Sequence, residues 1–227
     1  MAHIQLLKQN NVTDWRLILT EDQINQLNDY VANQINTKFQ NKSIVVTSIL
    51  KGAVYFTVDL TRRLTIPHSL YFIEASSYKG QTQDELELLS SLGPVFDSKI
   101  IPSKFENKTV ILIDELYDNG LTLHQVKNKL LEEVPSLKAE DIFTCVLFKK
   151  NKETKYPLPD LVGIQLPNVW LVGYGLDDQQ TKRNWKNLFA APKPENLQKT
   201  LDDNLFDDEH YYQQQLDDIQ NNILRLC

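Results

Sequence analysis

Residues 109–122 constrain this chain more than any other segment. Thr109-Val110-Ile111-Leu112-Ile113 is an apolar, β-branched run that reads as a buried strand. It passes directly into Asp114-Glu115-Leu116-Tyr117-Asp118-Asn119-Gly120-Leu121-Thr122, and a helix is expected from there to about Val134. Ile142–Phe148 reads as the next strand. Strand, turn, helix, strand is a βαβ unit, which demands a parallel sheet with helices packed on it. Ligands bind such sheets at the carboxyl ends of the strands, and three carboxylates stand at this one.

The surrounding pattern agrees with an α/β fold. Thr20 and Gln23 fit a capping box, and Ile24, Leu27, Val31 and Ile35 follow at helical spacing. Ser43–Leu50 is a second buried-strand run, broken by Lys51-Gly52, with a helix expected over Ala53–Leu64. Leu70–Ile73, Leu161–Ile164 and Val169–Val172 read as further strands. Residues 77–98 are polar, carry Gly80, Gly93 and Pro94, and read as a long loop, a feature usually reserved for function or disorder.

Composition narrows the function classes. With 227 residues, 41% of them hydrophobic and 24% charged, the chain has enough apolar material for a core. No run approaches the roughly 20 apolar residues of a membrane helix. Met1–Trp15 shows no basic region followed by an apolar one, so no secretory signal is expected. Two cysteines build no disulfide framework, and the expected compartment is the cytoplasm. Residues 195–227 hold eight acidic and two basic residues, so this segment carries the whole net charge of −6. The body before it is balanced, which leaves no basic face for nucleic acid. Pro192 and Pro194 mark the expected boundary between a domain over 1–194 and an acidic C-terminal extension over 195–227. The spacing of Leu205, Tyr212, Leu216, Ile219 and Ile223 predicts a helix in that extension.

The residues of the central turn have two readings. Asn119-Gly120 bares a tight turn and Thr122 opens a helix, so backbone N–H groups and a hydroxyl make an anion cradle beside the acids. Equally, Asp118-Asn119-Gly120 is an ordinary turn with solvated, helix-capping acids. Cys145 lies in an apolar strand and reads as a small buried hydrophobe, and His68, His124 and His210 read as structural.

An apolar strand, two acids, two apolar residues and then Asp-x-Gly-x-Thr resembles the signature of type I phosphoribosyltransferases, which bind 5-phosphoribosyl diphosphate (PRPP). Leu50-Lys51-Gly52, Ser77-Tyr78, Phe148-Lys149-Lys150, Trp170-Leu171-Val172-Gly173-Tyr174-Gly175-Leu176-Asp177 and Arg183 follow in order. Together, over residues 44–189, they resemble the hypoxanthine-guanine phosphoribosyltransferases. Two departures stand out: Asp114-Glu115 where the family has Glu-Asp, and Asn119-Gly120 where it has Thr-Gly.

The resemblance implies a parallel sheet with helices on both faces and a small hood subdomain. It implies transfer of the phosphoribosyl group of PRPP to a 6-oxopurine, with Mg²⁺. Lys51, Gly52 and Arg183 would bind pyrophosphate, and Ser77-Tyr78 would begin a closing loop. Asp114 and Glu115 would hold ribose hydroxyls or the metal, and Asp118 would be the base. Asn119, Gly120, Leu121 and Thr122 would cradle the 5′-phosphate. Trp170 would stack on the purine, with Lys149 and the Leu171 backbone reading its polar edge; Asp177 belongs to this purine-side group and would bind a second Mg²⁺ through pyrophosphate. A dimer or tetramer is implied. The alternative is a non-catalytic PRPP- or nucleotide-sensing regulator on the same fold.

Overall fold

The first helix starts where its cap stands. In the computed structural model, which describes residues 15–77, 86–89 and 105–190 together with Gln214 and Asp217, α1 spans Glu21–Lys38. Gln23 N donates to Thr20 Oγ1 at 3.2 Å and Thr20 N donates to Gln23 Oε1 at 2.8 Å, which closes the capping box. Ile24, Leu27, Val31 and Ile35 form its buried face.

Six strands make the main sheet: β2 (Ile44–Leu50), β3 (His68–Ser77), β4 (Leu86–Leu89), β5 (Thr109–Tyr117), β6 (Ile142–Lys150) and β7 (Leu161–Leu166). Their order is β4-β3-β2-β5-β6-β7, with β4 antiparallel and the other five parallel. Helix α2 (Val54–Thr61) follows β2, and α3 (Leu121–Glu133) follows β5. Both faces are covered. Residues of α1 and α2 pack with Ile44, Val46, Ile111 and Ile113, while Leu123, Val126 and Leu130 of α3 pack with Val45, Val110 and Leu112 on the other side. The alternation within β2 and β5 thus feeds two apolar layers, as a doubly covered sheet requires.

The expected loop over 77–98 contains a strand. β3 extends to Ser77, beyond its apolar run, and its outer edge pairs antiparallel with β4 from Glu74↔Leu89 to Ser77↔Leu86. The unpaired N–H and C=O groups of that edge are thereby satisfied, a pairing that residue composition does not announce. The rest of that segment lies outside the described residues. Most of the expected tail helix does too, although Gln214 and Asp217 are helical.

A second, three-stranded antiparallel sheet forms the hood: β1 (Arg16–Leu19), β8 (Leu171–Val172) and β9 (Leu188–Ala190), in the order β1-β9-β8. Its strands are two to four residues long, too short for a period to show in sequence. Leu19, Leu171 and Leu188 join the core on the α1/α2 side, so the hood is tied to the main sheet by shared burial.

Candidate active site

The acid pair lies in the last paired stretch of β5, which runs on past the expected end at Ile113 through Leu116 and Tyr117, both still paired with β6. Asp114 is buried, and Glu115 N donates to its Oδ1 at 3.0 Å. Burial, reinforced by the adjacent Glu115 charge, holds the Asp114 carboxyl well above its ordinary range. Burial also raises Glu115, while the Arg183 guanidinium pulls it down and Asp177 pushes it up. Two carboxylates desolvated together are a standing cost to the fold unless a cation joins them.

Three loops are nested at this point. A Cβ on Gly52 would fall on the Glu115 carboxylate, and a Cβ on Gly175 would strike the Gly52 carbonyl oxygen. Glycine at both positions therefore allows close approach of the β2, β5 and post-β8 loops. Arg183 Nη1 donates to Gly175 O at 2.8 Å, and Arg183 Nη2 pairs with Asp177 Oδ1 at 2.5 Å. Asp177 Oδ2 also accepts from Gln180 N at 2.8 Å. Lys51 follows a cis Leu50–Lys51 peptide, and its exposed Nζ lies 3.4 Å from Glu74 Oε1. Lys51, Gly52, Asp114, Glu115, Asp177 and Arg183, far apart in sequence, are thus brought to one end of the sheet.

Asp118 sits at the turn into α3 between two lysines. Lys150 Nζ lies 3.4 Å from its Oδ2, and Lys152 pairs with its Oδ1. Burial alone would raise this carboxyl; the hydrogen bond to Lys152 and the charges of Lys150 and Lys152 outweigh it and hold it below its ordinary value. Neither lysine was singled out for this position by the sequence reading, because their partner lies a whole helix and strand away in the chain. Gly120 caps α3 with φ +85 and without a side-chain cap. Asn119 Oδ1 accepts from Leu121 N at 3.0 Å, so the residue standing in for the family's Thr fills part of the cradle itself. Thr122 lies in the first turn of α3. Tyr117 OH donates within 3.0 Å of the carbonyls of Tyr156 and Pro157, which ties the turn to the segment after β6.

Of the purine-side residues, Trp170 is 61% exposed immediately before β8, which makes it a free aromatic face instead of a core residue. Leu171 is buried in the hood and pairs with Ala190. Lys149 Nζ donates to Lys150 O at 3.2 Å. Ser77 ends β3, and Tyr78 lies outside the described residues. Cys145 is buried and its thiol is pushed up by desolvation, as suits an inert hydrophobe. Among the described residues no helix is long and apolar enough to cross a membrane.

The burial of the acid pair gives an expected result. Asp114→Asn keeps the acceptor for Glu115 N and removes a desolvated charge, so the ligand-free variant should melt higher at pH 7 by ~2–4 °C for each kcal/mol gained. The native carboxyl is raised above its unfolded value, so wild type regains stability as pH falls and the gap between the two proteins should narrow. Parallel melts at neutral and mildly acidic pH check this; an equal gap at both would show that the Asp114 charge is not the cause.

The profile of the phosphoribosyl transferase domain matches residues 14–179. A hypoxanthine-guanine phosphoribosyltransferase of Aquifex aeolicus is 32% identical over 179 residues, covering 78% of this chain and 94% of the relative. One from Staphylococcus aureus is 30% identical over 182 residues, covering 79% and 94%. The crystal structure of a Bacillus anthracis hypoxanthine-guanine phosphoribosyltransferase superposes with a TM-score of 0.65 at 29% identity, covering 78% of this chain and 97% of that one. A Trypanosoma cruzi hypoxanthine phosphoribosyltransferase in complex with the product IMP gives 0.65 at 26% identity, covering 79% and 95%. The matched domain spans most of the chain and the fold superposes along most of its length, so this chain belongs to the phosphoribosyl transferase domain family, with hypoxanthine-guanine phosphoribosyltransferases among its relatives.

Proposed function

We propose that this protein is a purine salvage enzyme that moves the 5-phosphoribosyl group from PRPP to a 6-oxopurine, hypoxanthine or guanine. The products are the nucleoside monophosphate and pyrophosphate. The observation that carries the reading is the meeting of the acid pair, the Lys51-Gly52 loop and the Asp177/Arg183 loop at one sheet end, with the Asp118 turn leaving the same strand.

In this reaction the bond from ribose C1 to the pyrophosphate oxygen breaks and a bond from C1 to a purine nitrogen forms. Arg183 offers a fork of donors to the departing pyrophosphate, and Lys51 adds a charge. Asp118, ionised at neutral pH, accepts the proton from the purine imidazole nitrogen. Backbone N–H groups from Asn119 to Thr122 hold the 5′-phosphate once the Asn119 side chain turns out of the cradle. Trp170 stacks on the base, while Lys149 and the Leu171 backbone meet its polar edge. A loop beginning at Ser77-Tyr78 excludes water that would otherwise hydrolyse PRPP.

Mg²⁺ suits the acids present. It is bound in such sites by one or two carboxylates plus substrate phosphates, and Asp114 and Glu115 form such a pair of hard oxygen donors with charge to be offset. Asp114 and Glu115 would hold it with PRPP, and Asp177 would serve a second ion. When bound it supplies charge stabilisation to the leaving pyrophosphate. The family relationship supports a cytoplasmic homo-oligomer, dimer or tetramer. Every residue named in the chemistry lies between Lys51 and Arg183, which supports a catalytic domain over 1–194 with 195–227 as an appendage.

Steady-state assays with PRPP, Mg²⁺ and each base test the assignment. Hypoxanthine or guanine should turn over and adenine should not, because Lys149 donates to a 6-oxo group but would face the amino donor of adenine. Comparable turnover with adenine would overturn the 6-oxopurine reading, and PRPP binding without turnover of any base would favour a regulator.

A further inference from the structure

Tyr174 has a bulky side chain at φ +48, flanked by Gly173 at +102 and Gly175 at +100. Three successive residues at positive φ are an unusual backbone, and a large residue in that region persists only where its surroundings over-determine it. Here the determinants are visible. Tyr174 OH donates to Asp59 Oδ2 on α2 at 2.7 Å and accepts from Asn28 Nδ2 on α1 at 2.7 Å. Asn28 is fully buried and its amide also donates to Ile24 O at 2.9 Å. The Tyr174 ring lies against Tyr55 and Phe148, with centroids 6.4 and 6.3 Å away. Backbone bonds from Tyr174 N to Trp185 O and from Gly175 N to Arg183 O, at 2.7 and 2.9 Å, close the loop above it.

The next residue shows what this clamp sets. Gly175 rests on the Gly52 carbonyl on one side and accepts from the Arg183 guanidinium on the other. Both elements read as pyrophosphate ligands therefore hang on a residue whose position is fixed by its pinned neighbour. Trp170 and Leu171 do not depend on it in this way, since β8 is held by its register with β9.

We propose that Tyr174 is a positioning residue for the pyrophosphate half of PRPP: its hydroxyl, clamped between Asp59 and Asn28, sets Gly175 against Gly52 and so aligns the Lys51-Gly52 loop with Arg183. The proposal rests on the assignment of those groups to pyrophosphate.

The test uses the full chain with Mg²⁺. Tyr174→Phe keeps the ring and removes the hydroxyl. KM for PRPP should rise about tenfold, and the calorimetric Kd for PRPP with it, while kcat and the purine KM at saturating PRPP stay within about twofold. A purely structural role would lower Tm without separating the two substrates. Asp59→Ala should reproduce the rise, and Asp59→Asn should not, because its amide oxygen still accepts from the tyrosine. Should Tyr174→Phe fail to fold, the two Asp59 variants decide. An unchanged PRPP KM in Tyr174→Phe, or an equal rise for purine, overturns the proposal. Arg183→Met separates the two levels: if it leaves PRPP binding intact the pyrophosphate assignment fails, and if it weakens binding while Tyr174→Phe does not, only the positioning role fails.

Discussion

Replacing Asp118 by Asn should lower kcat by about 10²–10⁴-fold, or about 3–5 kcal/mol of barrier, the usual contribution of a general base. Wild-type Asp118 is ionised at neutral pH; the ion pairs to Lys150 and Lys152 hold its carboxyl below its ordinary value and weaken it as a base, so they must loosen as it takes the purine proton. The amide is nearly isosteric, and the backbone turn through Gly120 does not depend on its charge. It cannot take up the proton, however, so the purine must lose it unaided. Substrate KM values should change far less than kcat. Thr122→Val is the matched control: on the proposed assignment it would remove a phosphate contact made equally in the ground and transition states, so it should raise the PRPP KM with little change in kcat. Steady-state kinetics of the two variants decide the matter. Near-normal kcat in Asp118→Asn with collapsed PRPP affinity would make Asp118 a ligand-positioning group and place the base elsewhere.

Gly175→Ala should cost far more stability than Gly52→Ala. The residue sits at φ +100, where an L side chain is strained, at a cost of ~1–2 kcal/mol. Its new Cβ would also meet the Gly52 carbonyl oxygen, a backbone atom that moves only if the whole loop moves, adding the ~1–3 kcal/mol typical of overpacking. A loss of roughly 2–5 kcal/mol should lower Tm by on the order of 10 °C in a chain of this size. Gly52→Ala provides the contrast. The atoms nearest its Cβ belong to the Glu115 carboxylate, the end of a flexible side chain that can swing away. The fold should therefore tolerate Gly52→Ala with a small change in Tm, while PRPP binding suffers from the displaced acid. Thermal melts and PRPP titrations on both variants would show the inversion. A Gly175→Ala protein that melts with wild type would mean the two loops are not locked together.

Local chemistry made part of this molecule legible before its structure. Thr20 and Gln23 are three residues apart and cap one helix, so neighbours in sequence sufficed to start α1. The β-branched runs of β2 and β5 and the turn at Asp118-Asn119-Gly120 announced a βαβ unit, because period and turn residues act over a few positions. The ordered motifs then pointed to Asp118, the acid pair and Arg183 as candidate site residues. In contrast, β1 and β9 were missed because such short strands have no period of their own and exist through pairing with each other and with β8. β4 was missed because the edge of β3, and not its own composition, gives it a partner.

The same division runs through the site. Residue identity indicated which groups were present: acids, a lysine–glycine turn, an aromatic and an arginine. Only the tertiary structure decided that Lys150 and Lys152 flank Asp118, that the Glu115 carboxylate occupies the space a side chain at Gly52 would need, and that Tyr174 reaches Asn28 and Asp59. The physical reason is range. Capping, periodicity and turn conformation are set by atoms a few bonds away and leave a mark in the sequence. Charge pairing, close backbone approach and burial are set by segments that meet only after the sheet has formed, so no window of neighbouring residues contains them.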